Sequence, residues 1–395
     1  MWRKAMSVFA RRLGISDSFY TFYRYCVYSF VIGAVLMTLP SLASAQANYE
    51  KRPNISREFA AIAHNSADHQ FILFGGVNNG PEGGGRGPFF NDTWVWSDAG
   101  WEKRTPATQP EPRFEAAMAY DSARREVVLF GGNDQQSRRA VNSPWALIRE
   151  YPPPPFPRHG TDVFYRDTWV WNGTDWTQRN PAQAPAERAA PAMAYDAARK
   201  QVVLFGGFHP ARGPFNDTWV WDGTNWKKMN PVHSPPARCS AAMAYDPDHK
   251  QIVMFGGMDI NGIHMHHYVF GDTWLWNGTD WSKAEPTGDV PEARQGAGFD
   301  YDRSQERLVL FSGYMFNSTG AGWLAFDSWT WDGSHWTKLA RSAFELFFDT
   351  AVKDGVYPKN ADQALVGNVA TPIIWIPKPA RHDGTNRTET APPTK

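Results

Sequence analysis

The chain has 395 residues, of which 15% are aromatic, 33 are glycine and 30 are proline, a makeup that favours short strands joined by tight turns over long helices. Its 40 basic residues balance its 40 acidic ones, so no basic excess points to nucleic acid. The length is enough for one large domain or two or three ordinary ones.

Residues 1–45 differ from the rest. Arg3, Lys4, Arg11, Arg12 and Arg24 precede an apolar run, Val27 to Leu39, and Ala43-Ser44-Ala45 supplies the small residues of a cleavage site before Gln46. This is the pattern of a secretory signal with a long basic region. The run is shorter than the ~20 residues that a membrane-spanning helix needs. Membrane attachment is therefore expected only if the segment stays uncleaved as an anchor. Arg11-Arg12 lies too far from the run to weigh as a twin-arginine signal. Cleavage removes five basic residues and one acidic one, leaving a mildly acidic exported protein, periplasmic or extracellular. Cys26 goes with the signal, so Cys239 has no cysteine in the chain to pair with.

From residue 57 onward the chain repeats. Gly-Gly pairs stand at 75–76, 131–132, 206–207 and 256–257, with Ser312-Gly313 as a variant. Eighteen residues before each pair stands an arginine (Arg57, Arg113, Arg188, Arg238, Arg294), and ten before stands Asn65, Asp121, Asp196, Asp246 or Asp302. The phrase NDTWVWDGTNW (216–226) recurs with close variants from 91, 166, 271 and 326, and these five copies hold fifteen of the nineteen tryptophans. Fixed spacing of this kind marks a repeat architecture. In each unit, AAMAYD (116–121) predicts a strand a, and VVLFGG (127–132) predicts a strand b stopped by glycine. DTWVW (217–221) predicts a strand c with Trp219 and Trp221 on one face and Val220 on the other. Asp222-Gly223 and its equivalents supply a hairpin turn, and strand d starts at the next tryptophan, as in WKKMNP (226–231). A four-stranded unit of roughly 50 residues cannot cover both its faces alone, so repetition at this period predicts blades around an axis, a β-propeller. The tryptophans are expected to fill the wedge between blades rather than to form a sugar platform.

The series R-x-x-x-A-M-A-Y-D, V-V-L-F-G-G and N-D-T-W-V-W-D-G-x-x-W resembles the bacterial form of the kelch repeat over about residues 57–340. The resemblance implies an all-β kelch-type β-propeller and says almost nothing of function. Arg341 and Asp349 keep the eight-residue spacing of strand a without a following Gly-Gly, and Thr371 to Trp375 is a candidate strand c. Tyr49-Glu50-Lys51-Arg52-Pro53 resembles the d strand at Trp101 to Pro106, and an N-terminal strand completing the last blade removes exposed edges. Six four-stranded blades over 46–377 are expected, with five or seven as alternatives. The polar, Pro-rich tail 378–395 is expected to be disordered.

Strands that alternate in direction place the b–c and d–a loops on one face. The b–c loops vary, from 11 residues between Gly206 and Asp217 to 36 between Gly131 and Asp167, and variable loops on a rigid scaffold are where recognition usually sits. The kelch resemblance implies binding on that face as well. Its candidate ligand-binding residues are Arg113, Arg188, Arg238 and Arg294, with Trp145 and His209. A ring of six guanidinium groups, counting Arg57 and Arg341, suits a carboxylate, sulfate or phosphate. The competing reading pairs each arginine with a repeat aspartate or with d–a carbonyls. His159, His264, His266 and His267 fall in b–c loops and His233 in a d–a loop of the same face. His264 and His266 come nearest to a metal-ligating pair, but their spacing matches no standard motif, so no metal or other cofactor is expected. The blade 2 insertion, 133–166, carries a polyproline stretch at Tyr151 to Pro157 and reads as a surface loop, a lid or a partner-binding segment. The Gly-rich run 80–89 lacks the strand–helix setting of a phosphate loop.

Kelch propellers include enzymes. Resemblance to the galactose oxidase central domain implies copper held by tyrosines, histidines and a cysteine crosslinked to tyrosine, but Cys239 beside Arg238 has no recognisable partner tyrosine motif. Resemblance to exported sialic acid mutarotases implies an acid–base carboxylate near an arginine, for which Glu115, Glu187 and Glu292 are placed. The leading reading is an exported, non-catalytic propeller, monomeric, that binds a protein or a glycan; the alternatives are a sugar-modifying enzyme and a structural part of an envelope assembly.

Overall fold

A computed structural model describes residues 57–339, apart from 69, 79–88, 98–99, 135–162, 261–267, 304–305, 317–321 and 326. The described residues are all-β. They form five four-stranded antiparallel sheets, each ordered a-b-c-d, in a five-bladed propeller arrangement with the a strands side by side at the axis. Blade 1 is Ala61–Asn65, Gln70–Phe74, Thr93–Ser97 and Gly100–Arg104. Blade 2 is Ala117–Asp121, Glu126–Phe130, Thr168–Trp171 and Trp176–Arg179. Blade 3 is Ala192–Asp196, Gln201–Phe205, Thr218–Trp221 and Trp226–Lys228. Blade 4 is Ala242–Asp246, Gln251–Phe255, Thr273–Trp276 and Trp281–Ala284. Blade 5 is Gly298–Asp302, Arg307–Phe311, Ser328–Trp331 and Trp336–Lys338. Five blades was one of the expected numbers. The segments assigned to a sixth, 341–377 and Tyr49 to Pro53, lie outside the described residues, as do the signal and the tail. No helix among the described residues is long and apolar enough to cross a membrane.

The b strands read as unbroken apolar runs because both their faces are covered. Val128 and Phe130 of blade 2 pack with Val202, Leu204, Trp221 and Trp226 of blade 3, and the same layer repeats between blades 3 and 4 and between 4 and 5. The three tryptophans of each phrase do three different jobs. The first of strand c donates its Nε1–H to the aspartate two residues before it, as Trp219 does to Asp217 at 2.8 Å. The d-strand tryptophan crosses to the preceding blade. There Trp176, Trp226, Trp281 and Trp336 donate to Thr93, Thr168, Thr218 and Thr273 Oγ1 at 2.8–2.9 Å, and each meets a phenylalanine of that blade at 5.2–5.4 Å. The second of strand c tilts against the d-strand ring of its own blade, and in Trp221, Trp276 and Trp331 its Nε1–H is buried without a protein acceptor. Packing between blades is thus the work of the repeated phrase. Lysines follow two residues after the d-strand tryptophan in Lys103, Lys228, Lys283 and Lys338, placing charge along the outer edge strand, where it discourages pairing with another chain.

The Gly-Gly pairs mark where neighbouring backbones touch. Gly131 and Gly132 have φ of 73° and 92°, in the left-handed region that glycine tolerates. The Gly132 N–H donates to the Arg188 carbonyl of blade 3 at 2.9 Å, and a β-carbon on Gly131 would stand 2.6 Å from that same oxygen. Blade 5, the last one described, has Ser312 at this position, itself at φ 58°.

One pair of substitutions joins the first blade to the fifth. His64 stands where the other blades have Tyr120, Tyr195, Tyr245 and Tyr301, and Asp300 stands where they have Ala63, Ala119, Ala194 and Ala244. His64 Nδ1 and Asp300 Oδ2 lie 3.0 Å apart.

Candidate functional site

Each of the five described repeat arginines is the centre of a polar unit. Arg188 is fully buried. Its Nη1 and Nη2 donate to the two oxygens of Asp217 at 2.6 and 3.0 Å, Nη1 also donates to the Gly206 carbonyl at 2.9 Å, and Nε donates to the Ala186 carbonyl at 2.9 Å. The Phe215 ring lies 4.0 Å from the guanidinium carbon. Arg57 pairs likewise with Asp92, Arg113 with Asp167, Arg238 with Asp272 and Arg294 with Asp327, all as bidentate forks. The arginine ring is therefore paired with the repeat aspartates, and Arg113, Arg188, Arg238 and Arg294 are at most 1% exposed.

The fork sets the acid range of stability. Burial would raise the carboxyls of Asp92, Asp217, Asp272 and Asp327, but the arginine hydrogen bonds and charge outweigh it and hold all four below the usual range. A depressed folded pKa gives stability that is complete above the unfolded value, ~3.9 for aspartate, and lost as pH falls through the folded value. Thermal unfolding between about pH 2 and pH 6 should show a midpoint that is level above about pH 5 and drops steeply below about pH 4. Asp217→Asn should make that drop shallower while lowering the plateau.

Two residues past each arginine the chain turns left-handed, at Phe59, Glu115, Ala190 and Ser240 with φ of 50–56° and at Gly296 with φ 58°. Their amides link the blades in series: Glu115 donates to Phe59 O at 3.0 Å, Ala190 to Glu115 O at 2.7 Å, Ser240 to Ala190 O at 2.9 Å and Gly296 to Ser240 O at 2.8 Å. These residues line the b–c end of the axis, just ahead of the innermost strands. Glu115, 6% exposed, is the one charged member, and its Oε2 accepts from Asn133 Nδ2 at 2.9 Å. Asp134 closes the base of the blade 2 insertion, accepting from the Val163 N–H and the Tyr165 hydroxyl at 3.1 Å each. The buried Cys239 thiol lies within the field of Glu115 and Asp259; burial first, and these charges next, push its pKa up.

His209 lies on the b–c side of blade 3. Its Nδ1 accepts from the Ala211 N–H at 3.2 Å, its Nε2 is 3.9 Å from Glu187 Oε1, and the Phe164 ring meets it at 5.0 Å. Arg212 Nη2 is 2.9 Å from the same Glu187 oxygen. Burial lowers the His209 pKa. The Glu187 carboxyl is also lowered, chiefly by its own backbone N–H and then, against burial, by Arg212. His209 and Glu187 thus come together, while Glu292 offers its main-chain carbonyl to Arg294 Nε at 2.9 Å.

His233 falls in the d–a segment between blades 3 and 4. It is tied to Asp280 in the c–d turn of the next blade, by its N–H and by Nδ1 at 2.8 Å each. Ala107 and Ala182 make the same backbone link, to Asp175 and Asn225, so the d–a segments reach across to the following c–d turns. Trp145, His159, His264, His266, His267 and Arg341 lie outside the described residues. The Glu115–Asn133 pair was missed from the sequence. Its signal is two repeat columns in which the other members are Phe59, Ala190, Ser240 and Gly296, and Val77, Phe208, Met258 and Tyr314.

The model of the KLHDC2/KLHL20/DRC7 Kelch-repeats domain matches residues 58–277. Among solved structures the chain is similar to that of YjhT, at 16% identity and a TM-score of 0.50, over 72% of this chain and 84% of that one. No curated protein matches it.

Proposed function

The chain belongs to the kelch-repeat family, and from that premise we propose that it is an exported, non-catalytic binding protein that recognises a protein or glycan partner through its b–c face. One observation carries this reading. The repeated arginines and aspartates satisfy one another inside the blades, and a cluster of departures from the repeat, apart from the His64–Asp300 pair, lies on the b–c side, at Glu115, Asn133, Asp134, Glu187, His209 and Arg212. The arginines Arg113, Arg188, Arg238 and Arg294 then serve as the frame of the face, and His209 with its neighbours supplies contacts. Residues 1–45 carry the chain across the membrane in this reading.

A sugar-modifying enzyme is the second reading, favoured by the approach of Glu187, His209 and Arg212. Acid–base chemistry needs one partner that holds a proton ready to give. Glu187 is held ionised and burial favours neutral His209, which suits hydrogen bonding to a ligand better than proton delivery.

A thermal-shift series with sialic acids, neutral sugars and sulfated glycans, run beside co-purification from the cell envelope, tests the proposal. A ligand at about 100 times its Kd should add roughly 2.7 kcal/mol of stability. Binding that is lost in Glu187→Ala/His209→Ala/Arg212→Ala supports the b–c face. A ligand or partner that binds this variant as well as the native protein sinks it.

A further inference from the structure

On the face opposite the b–c loops, where the a–b and c–d turns lie, one residue of an a–b turn ties its blade to the next. Arg124, in the turn of blade 2, donates through Nη1 to Asp121 Oδ2 of its own turn at 2.6 Å and to the Lys200 carbonyl of blade 3 at 3.1 Å. Its Nη2 donates to the Asp222 carbonyl in the c–d turn of blade 3. Arg199 repeats the three bonds one blade on, with Asp196, Lys250 and Asn277. The guanidinium lies against the turn glycine in both places, Gly223 and Gly278, and at the next junction the His249 ring lies against Gly333.

Blades 1 and 2 meet without such a tie among the described residues. Asp68 holds the position, and its carboxylate turns to its own blade's Asn65 Nδ2 and to Arg125 Nη2, at 2.9 Å each. A β-carbon on Gly173, the equivalent turn glycine, would meet nothing within 4 Å. Gly173 is exposed, whereas Gly223 and Gly333 are half-buried and Gly278 is buried. The main-chain oxygens that answer to Lys200 and Asp222 are those of Arg125 and Asn172, and no main-chain donor among the described residues meets either. The Tyr120 hydroxyl is buried without a hydrogen-bond partner, while Tyr195, its equivalent one blade on, accepts from the Ala123 N–H of the preceding a–b turn at 3.2 Å.

The vacant slot keeps the chemistry of the filled ones. Arg125 and Asn172 sit in blade 2 as Lys200 and Asp222 sit in blade 3, so their two oxygens are set for one planar fork. Carbonyl oxygens only accept, and a guanidinium is a weakly hydrated, rigid set of donors, unlike a compact and strongly hydrated ammonium. Asp68 is already engaged and is not needed as a ligand. Lys200 and Lys250 stand at the place of Arg125 beside the filled slots, so a neighbouring cation does not keep a guanidinium out.

We propose that the junction of blades 1 and 2 is a binding slot for an arginine side chain of a partner protein, which satisfies the Arg125 and Asn172 carbonyls as Arg124 and Arg199 satisfy their equivalents. This surface lies opposite the b–c face and stands or falls apart from it.

The molecule carries its own controls. Amide NMR of the full chain is followed during titration with N-acetylarginine amide, with N-acetyllysine amide, and with N-acetylcitrulline amide as the uncharged isostere. The Gly173 amide is expected to shift with the arginine probe while those of Gly223 and Gly278 stay, and the arginine probe is expected to bind about tenfold more tightly than the other two. The variant Asn65→Asp/Asp68→Arg copies Asp121 and Arg124 of blade 2. It is expected to fill the slot, unfold at a higher temperature and lose the Gly173 response. A Gly173 amide that does not move overturns the proposal, as do equal shifts at the three glycines. A lysine or citrulline probe that binds as well as the arginine probe overturns it too, and so does a folded variant that keeps the response.

Discussion

Arg188→Ala is expected to destabilise the protein by about 3 kcal/mol, because it leaves the partly buried Asp217 without its counter-charge. It also strips the donors from the Gly206 and Ala186 carbonyls. Arg188→Lys should recover only part of the loss, since one ammonium cannot reproduce a planar fork that serves both Asp217 oxygens. Denaturant unfolding of the three proteins at neutral pH, compared at constant slope, measures this. An alanine variant within about 1 kcal/mol of the native protein would show that the arginine is not structural, and would return Arg113, Arg188, Arg238 and Arg294 to the ligand.

Trp226→Ala should cost a similar amount, about 3–5 kcal/mol, through cavity formation between blades 2 and 3. Trp226 is 2% exposed, meets Phe130 at 5.3 Å and Trp221 at 5.5 Å, and donates to Thr168 at 2.8 Å. Trp219→Ala in the same phrase should cost clearly less, because that side chain is only partly buried and its single hydrogen bond goes to Asp217, which Arg188 already holds. The contrast between two tryptophans seven residues apart is checked in the same unfolding series. Equal losses at both positions would contradict the division of labour among the three rings.

The fold was legible because the repeat keeps its internal distances. Arginine to Gly-Gly is 18 residues in every unit, and aspartate to d-strand tryptophan is 9, so strand order and blade faces follow from alignment alone. The arginine's partner was harder to read. Arg188 and Asp217 are 29 residues apart but Arg113 and Asp167 are 54, since the b–c insertions fall between them. A contact across a variable loop has no fixed spacing to reveal it. The partner of His233, Asp280, was hidden for a different reason: strand alternation fixes where a loop leaves and re-enters a blade, not which neighbour its middle is bonded to. The Glu115–Asn133 pair needed both strands of register, because one member follows the arginine and the other follows the glycines.

The Arg188 side chain holds its own blade while its main-chain oxygen accepts from the second glycine of the blade before. Completion of one unit therefore waits on the start of the next, at four successive junctions from Gly76 with Arg113 to Gly257 with Arg294. In such a chain each unit fastens its predecessor. A polypeptide that stopped after Ala284 would contain all four strands of its first four units yet leave the Gly257 N–H of the fourth without its acceptor.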